Sequence, residues 1–353
     1  MTIEELLQRD ELKDLINFQA KIIPKSLLFA ATSADDLMAL FYNSDRDPRC
    51  MVNLNYLLKS GLLGDTGYLL VFPVDQGVEH SALYSFWDNP KMFDPEEIIR
   101  FAADVGFSAV ASSFGVLSLV ARKFAHKIPM IVKLNHNELL SVPLRWNQTS
   151  FATVKEAWRL GAIGIGFTVY FGSPDCREEI EKVKDFIAEA RELGLLTFCW
   201  CYVRNKEFQK SAVNLEVSDD ISSQAVYLGA SLGADFVKQK LPQSSQGFIF
   251  LNAEGFDVKV SDGMKRLKLT HPIEQTRLQV LHAYAGKIGL LSSGGESSGD
   301  DLVSAVKIAI INKRAGGRGL MLGRKVFKKS FAEGAKIVQA VCEVYKNKSI
   351  SLA

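Results

Sequence analysis

The chain has 353 residues, of which 47% are hydrophobic and 23% charged, and its formal net charge is +2. That balance is globular, and without a dense run of Lys and Arg it argues against a nucleic-acid partner. No apolar run reaches the ~18–20 residues of a spanning helix, and the acidic, polar stretch Met1–Asp14 lacks the basic-then-apolar order of an export leader, so a cytoplasmic chain without membrane contact is expected.

Residues 1–65 carry helical patterns: Ile3, Leu6 and Leu7, then Ser33 as N-cap ahead of Asp35-Asp36-Leu37-Met38-Ala39-Leu40. They read as a helical extension that packs on the main domain or on a neighbouring subunit, and its loss should cost stability before chemistry. From residue 66 to 353 an alternation of apolar strand, loop and amphipathic helix sets in. The predicted strands are Tyr68–Asp75, Ser108–Ser112, Met130–Leu134, Gly164–Val169, Leu195–Tyr202, Asp235–Lys240, Ile288–Ser292 and Gly319–Leu322. The predicted helices are Pro95–Val105, Val116–His126, Thr153–Leu160, Arg177–Leu193, Asp220–Leu232, Pro272–Ala285, Asp301–Ile311 and Val326–Val344. Eight of each is the count of an α/β (β/α)8 TIM barrel; a doubly wound sheet would need some of these strands to be false. Residues 243–270 are too long for an ordinary strand-to-helix loop and should form an insertion with short structure of its own.

A barrel gathers its chemistry where strands end and the following loops begin. The first strand ends at Asp75, ahead of Gln76-Gly77-Val78-Glu79-His80, and the third at Lys133. The fifth ends in Trp200, Tyr202 and Arg204, the sixth in Lys238 and Lys240, the seventh in Ser293-Gly294-Gly295 and the eighth in Gly323-Arg324. Strand alternation puts Phe236, Lys238 and Lys240 on one face, and turns Trp200 and Tyr202 away from Cys199 and Cys201. A free lysine, with a pKa of about 10.4, is almost wholly protonated near neutral pH. Apolar walls and a second ammonium disfavour the charged form and make such an amine a nucleophile. A lysine pair that only binds phosphate is the plainer alternative. The two glycine motifs read as a phosphate cradle of open backbone N–H groups near a helix start.

Metal chemistry is not expected. The five cysteines are scattered, as suits reduced thiols, and the five histidines show no ligand spacing.

Taken together, Asp75-Gln76-Gly77-Val78-Glu79-His80, Trp87-Asp88-Asn89-Pro90, Gly233-Ala234-Asp235 leading to Lys238, Ser293-Gly294-Gly295 and Leu322-Gly323-Arg324 resemble the archaeal-type class I fructose-1,6-bisphosphate aldolases, in their bacterial branch. The resemblance implies that Lys238 forms a Schiff base and that Tyr202 donates a proton. It also implies that Asp75, His80, Trp200, Arg204 and the two glycine motifs bind a sugar phosphate. On this reading Lys240 tunes Lys238 or contacts phosphate, Asp75 orients hydroxyls or relays protons, and Lys133 and Arg204 are cations for the second phosphate. No cofactor is implied, and a homo-oligomer, commonly a decamer of two pentameric rings, is. A Schiff-base transferase or thiolase on another phosphorylated ketose, and a non-catalytic sugar-phosphate sensor, are the alternatives.

Overall fold

The computed structural model describes residues 3–141, 143, 145–209, 214–297 and 299–353. Eight parallel strands close into a barrel: β1 Leu69–Val74, β2 Ala109–Ser113, β3 Met130–Lys133, β4 Gly164–Phe171, β5 Leu196–Val203, β6 Phe236–Gln239, β7 Gly289–Ser293 and β8 Gly319–Met321. Each pairs with its neighbours in chain order, and β8 returns to β1 with Leu69 opposite Gly319. Runs such as Leu69–Val74 and Gly164–Phe171 are buried along their whole length, because one face fills the barrel and the other meets the helices. The predicted TIM barrel is therefore the observed one.

Alternation sorts the two faces. Cys199, Cys201 and Val237 belong to the layer between strands and helices, whereas Phe198, Trp200 and Phe236 fill the interior. The helix Asp219–Ser231 lies so close to β5 that a Cβ at Gly229 would stand 2.2 Å from Cys201 Sγ.

The helices Ile3–Leu7, Asp10–Asn17, Ala34–Tyr42 and Pro48–Lys59 precede the barrel. Ser33 caps the third as predicted, in a reciprocal box with Asp36. Leu37, Phe41, Leu54, Leu57 and Leu58 join the interior cluster of Leu69, Val71, Phe198 and Phe236, so the helices Ala34–Tyr42 and Pro48–Lys59 stopper the lower end of the barrel. They are also pinned by charge. Arg46 donates to Asp235 from Nε at 2.8 Å and from Nη2 at 2.5 Å, and Asp235 also accepts from the Thr197 amide at 2.8 Å.

Two local differences from the predicted elements stand out, whereas the segment 243–270 carries short structure of its own as expected. The expected helix Val326–Val344 is two, Arg324–Phe327 and Phe331–Lys346, because Ser330 and Glu333 form a capping box that starts a new helix. The loop after β3 folds back on itself, with Asn135–His136 pairing antiparallel to Thr149–Ser150. The segment 243–270 holds the short helices Gly247–Ala253 and Asp262–Arg266, the first tethered by Asp220 accepting from the Gly247 and Phe248 amides.

Candidate active site

Three strands place the reacting groups. Lys238 stands on β6 directly beside Trp200 of β5, and only 8% of it is exposed. Its Nζ lies 5.4 Å from the indole and 5.8 Å from the Tyr202 ring centroid. Lys240 Nζ is also 5.8 Å from that ring, so the phenol stands beside two ammonium groups. The large indole fits because Gly166 faces it: a Cβ there would be 2.7 Å from the Trp200 ring. Burial alone would raise the Tyr202 pKa. The charges of Lys238 and Lys240, with the nearness of the Lys238 and Ser293 side chains, bring it below the ordinary phenol value.

Across the barrel lies an acidic group. Lys133, 1% exposed at the end of β3, extends its ammonium to Asp75 at 3.4 Å and to Glu79 at 3.3 Å. Glu79 also accepts from the Tyr170 hydroxyl at 3.0 Å and from the Asn137 amide at 3.3 Å. Burial opposes charge on Asp75, but Lys133, His136 and Lys238 outweigh it and hold the carboxyl at about 2. His136, fully buried, is pushed down to about 4 by burial and by Lys133. Asp75, Glu79 and His136 could offer ligand atoms within 4.8 Å of one another. The Lys133 ammonium already bridges the two carboxylates, and this also differs from the expected open cation for a second phosphate.

The third part is the glycine seat after β7 and β8. Gly294 donates its amide to the Met321 carbonyl at 2.9 Å, so that N–H, expected to be open, belongs to the sheet. A Cβ at Gly294 would stand 2.6 Å from Leu322 Cδ1, and one at Gly323 2.6 Å from the Pro73 carbonyl oxygen. Close packing is therefore one reason for both glycines. The amides of Gly295, Gly323 and Arg324 have no acceptor among the described residues and remain the donors of the seat. Arg324 leans on exposed Glu296 at 2.7 Å. Burial and the Arg324 charge lower the His80 pKa. Arg204 pairs with Glu216 at 3.1 Å, with its guanidinium 4.7 Å from the Trp146 ring, and burial together with Arg204 lowers the Lys240 pKa.

One cavity of about 270 Å³ joins these parts. Asp75, His80, Lys133, Trp200, Tyr202, Arg204, Lys238, Lys240, Ser293, Gly294, Gly295, Gly323 and Arg324 all line it. It is also lined by residues that the sequence reading did not single out, among them Glu79, Tyr170, Trp146 and Glu296. Tyr170 had a usable signal. It pairs with Tyr202 across β4 and β5, so it is another inward phenol at a strand end, one residue beyond the predicted limit of that strand.

A protein-family profile described as DeoC/LacD family aldolase matches residues 69–329. A probable class 1 fructose-bisphosphate aldolase of Chlamydia trachomatis is 47% identical over 100% of this chain and 99% of its own length. The chain belongs to the class I fructose-bisphosphate aldolases. Family likeness extends to a class 1 fructose-bisphosphate aldolase of Thermoproteus tenax, 28% identical over 81% of this chain and 92% of the relative. Among solved structures, a Schiff-base-forming fructose-1,6-bisphosphate aldolase superposes with a TM-score of 0.60 at 26% identity, covering 79% of this chain and 94% of that one. In an aldolase of this family, a lysine, a phenol and an anion seat within one barrel mouth are the parts that the chemistry requires.

Proposed function

We propose that Lys238 is the amine through which this class I fructose-bisphosphate aldolase cleaves fructose 1,6-bisphosphate to dihydroxyacetone phosphate and glyceraldehyde 3-phosphate. The observation that carries the assignment is the placing of buried Lys238, its Nζ 5.8 Å from the Tyr202 ring, in the same cavity as Ser293 and the glycine seat. A ketone whose phosphate sits at Ser293, Gly295, Gly323 and Arg324 is thereby held close to the amine, and that fixed approach replaces a bimolecular encounter.

The neutral amine attacks C2, and the carbinolamine loses water to give an iminium. The C4 hydroxyl gives its proton to water in the cavity as the C3–C4 bond breaks. The electron pair passes into the enamine, and glyceraldehyde 3-phosphate departs. Tyr202 then protonates C3, which turns the enamine back into the iminium; that cation and the Lys240 ammonium stabilise the phenolate left behind, and this suits its lowered pKa. Water hydrolyses the iminium and frees the lysine. Asp75, kept ionised by Lys133, orients substrate hydroxyls and relays protons during dehydration, with His80 and Trp200 as binding contacts. Lys133 and Arg204, which line the same cavity, are the cations for the second phosphate, and Lys240 tunes Lys238 or contacts phosphate.

The same reading includes a homo-oligomer, in its finer form a decamer of two pentameric rings, and a cytoplasmic location. Exposed Leu83, Tyr84 and Trp87 support a contact surface between copies, which light scattering of the purified chain tests. No helix among the described residues is long and apolar enough to cross a membrane.

Reduction with borohydride in the presence of dihydroxyacetone phosphate tests the chemistry. A single adduct on Lys238, located by peptide mass and absent from Lys238→Ala, is the expected result. An adduct on another lysine, or none, rejects the assignment.

A further inference from the structure

A second cavity, of about 580 Å³, opens at the other end of the barrel, between the segment ahead of the helix Ala34–Tyr42 and the last residues of the chain. Tyr68 and Arg318, which line it, each immediately precede a strand, β1 and β8, whose far ends lead to Asp75 and Arg324. It is therefore separate from the catalytic mouth, by the length of those strands.

Its lining is one-sided in charge. Lys313, Arg318, Lys346 and Lys348 face it, and no carboxylate does among the described lining residues. Lys313 and Arg318 form a buried floor, 6% and 3% exposed. Lys313 donates to the carbonyls of Val344, Tyr345 and Asn347 at 3.0, 2.8 and 2.7 Å, which closes the last helix. Burial nevertheless pulls its pKa down to about 8. Arg318 donates to the carbonyls of Ala31 and Phe29, both at 2.8 Å, while its buried Nε has no partner. Carbonyl dipoles satisfy donors but leave the net positive charge in place, and a concave site of one sign concentrates anions.

The remaining wall is partly aromatic. Tyr68 and Tyr345 have centroids 4.8 Å apart, and the Arg318 guanidinium lies 5.6 Å from the Phe29 ring. The volume is within the range of small-molecule sites. Cations beside aromatic faces suit a ligand that is an anion at one end and a planar ring at the other.

We propose that this cavity binds a nucleoside monophosphate, with its phosphate against Lys346, Lys348 and the Arg318 edge and its base against Tyr68 and Phe29. Lys346 and Lys348 are exposed, so their replacement leaves the core intact. Calorimetric titration of the full chain with AMP, adenosine or orthophosphate, at saturating dihydroxyacetone phosphate, tests the site. AMP binds in the presence of the ketone phosphate, and more tightly than adenosine or orthophosphate alone. The double variant Lys346→Glu/Lys348→Glu weakens AMP by about tenfold or more and leaves fructose bisphosphate cleavage unchanged. The proposal is overturned if AMP does not bind, if the ketone phosphate displaces it, if orthophosphate binds as tightly, or if charge reversal has no effect.

Discussion

Tyr202 makes two contributions that substitution can separate. Its ring is a wall beside Lys238 and Lys240, and its hydroxyl is the proton donor of the proposed cycle. Tyr202→Phe keeps the wall and removes the donor. Turnover should fall roughly 10²–10⁴-fold, while the borohydride adduct on Lys238 still forms. Equal loss of both would make the tyrosine a packing residue. His136 gives a prediction about pH. Its folded pKa of about 4 lies below the unfolded value of 6.5, so it favours the folded state above pH 6.5, and that contribution is lost as pH falls towards 4. The full effect is on the order of 3 kcal/mol at most. Glu179, raised to about 7 chiefly by burial, acts in the opposite sense: its contribution is complete below about 4.5 and is lost as pH rises through 7. Urea unfolding of the native chain and of His136→Gln between pH 8 and 4 separates the two. The difference between the proteins should shrink as pH falls, and a constant difference would rule out the histidine as its source.

At the scale of elements, close approach decides what can be changed. Gly229→Ala puts a methyl where Cys201 Sγ already stands, and should destabilise by about 1–3 kcal/mol. Adding Cys201→Ala removes the obstructing atom and should restore much of that loss, as a denaturation cycle of the four proteins would show. The same scale explains what could be read in advance. The barrel strands were legible because each is a buried, largely apolar run bounded by turns and alternating with amphipathic helices. The break at Ser330 was not, because a capping box inside a long amphipathic pattern is outvoted by its periodicity. At the mouth, Lys238, Tyr202 and Ser293 were legible as inward positions at strand ends. Glu79 was not, because a glutamate in a loop ordinarily faces water. Only the folding of that loop over β3 brings it to Lys133 and Tyr170, and the same contact reveals Lys133 as a paired ion.

For the whole molecule, the clasp of Arg46 on Asp235 joins the N-terminal helices to the root of the strand that carries Lys238. Both side chains are almost fully buried, at 8% and 2% exposed. Removing one member of such a pair strands the other charge, so Arg46→Ala should lower unfolding stability by roughly 3–5 kcal/mol, read as an earlier urea midpoint. Catalytic turnover per folded molecule should be unchanged, since Asp235 keeps its bonds from Thr197. A fall in turnover at unchanged stability would instead make the clasp part of the chemistry.

The stopper made by those helices also governs traffic. With the base of the barrel corked, aldehyde and ketone meet Tyr202 and the glycine seat in the cavity at its other end. While the three-carbon ketone is still tethered as its enamine, only the aldehyde is free to go. Departure is therefore sequential: glyceraldehyde 3-phosphate leaves first, and in the synthetic direction it docks last.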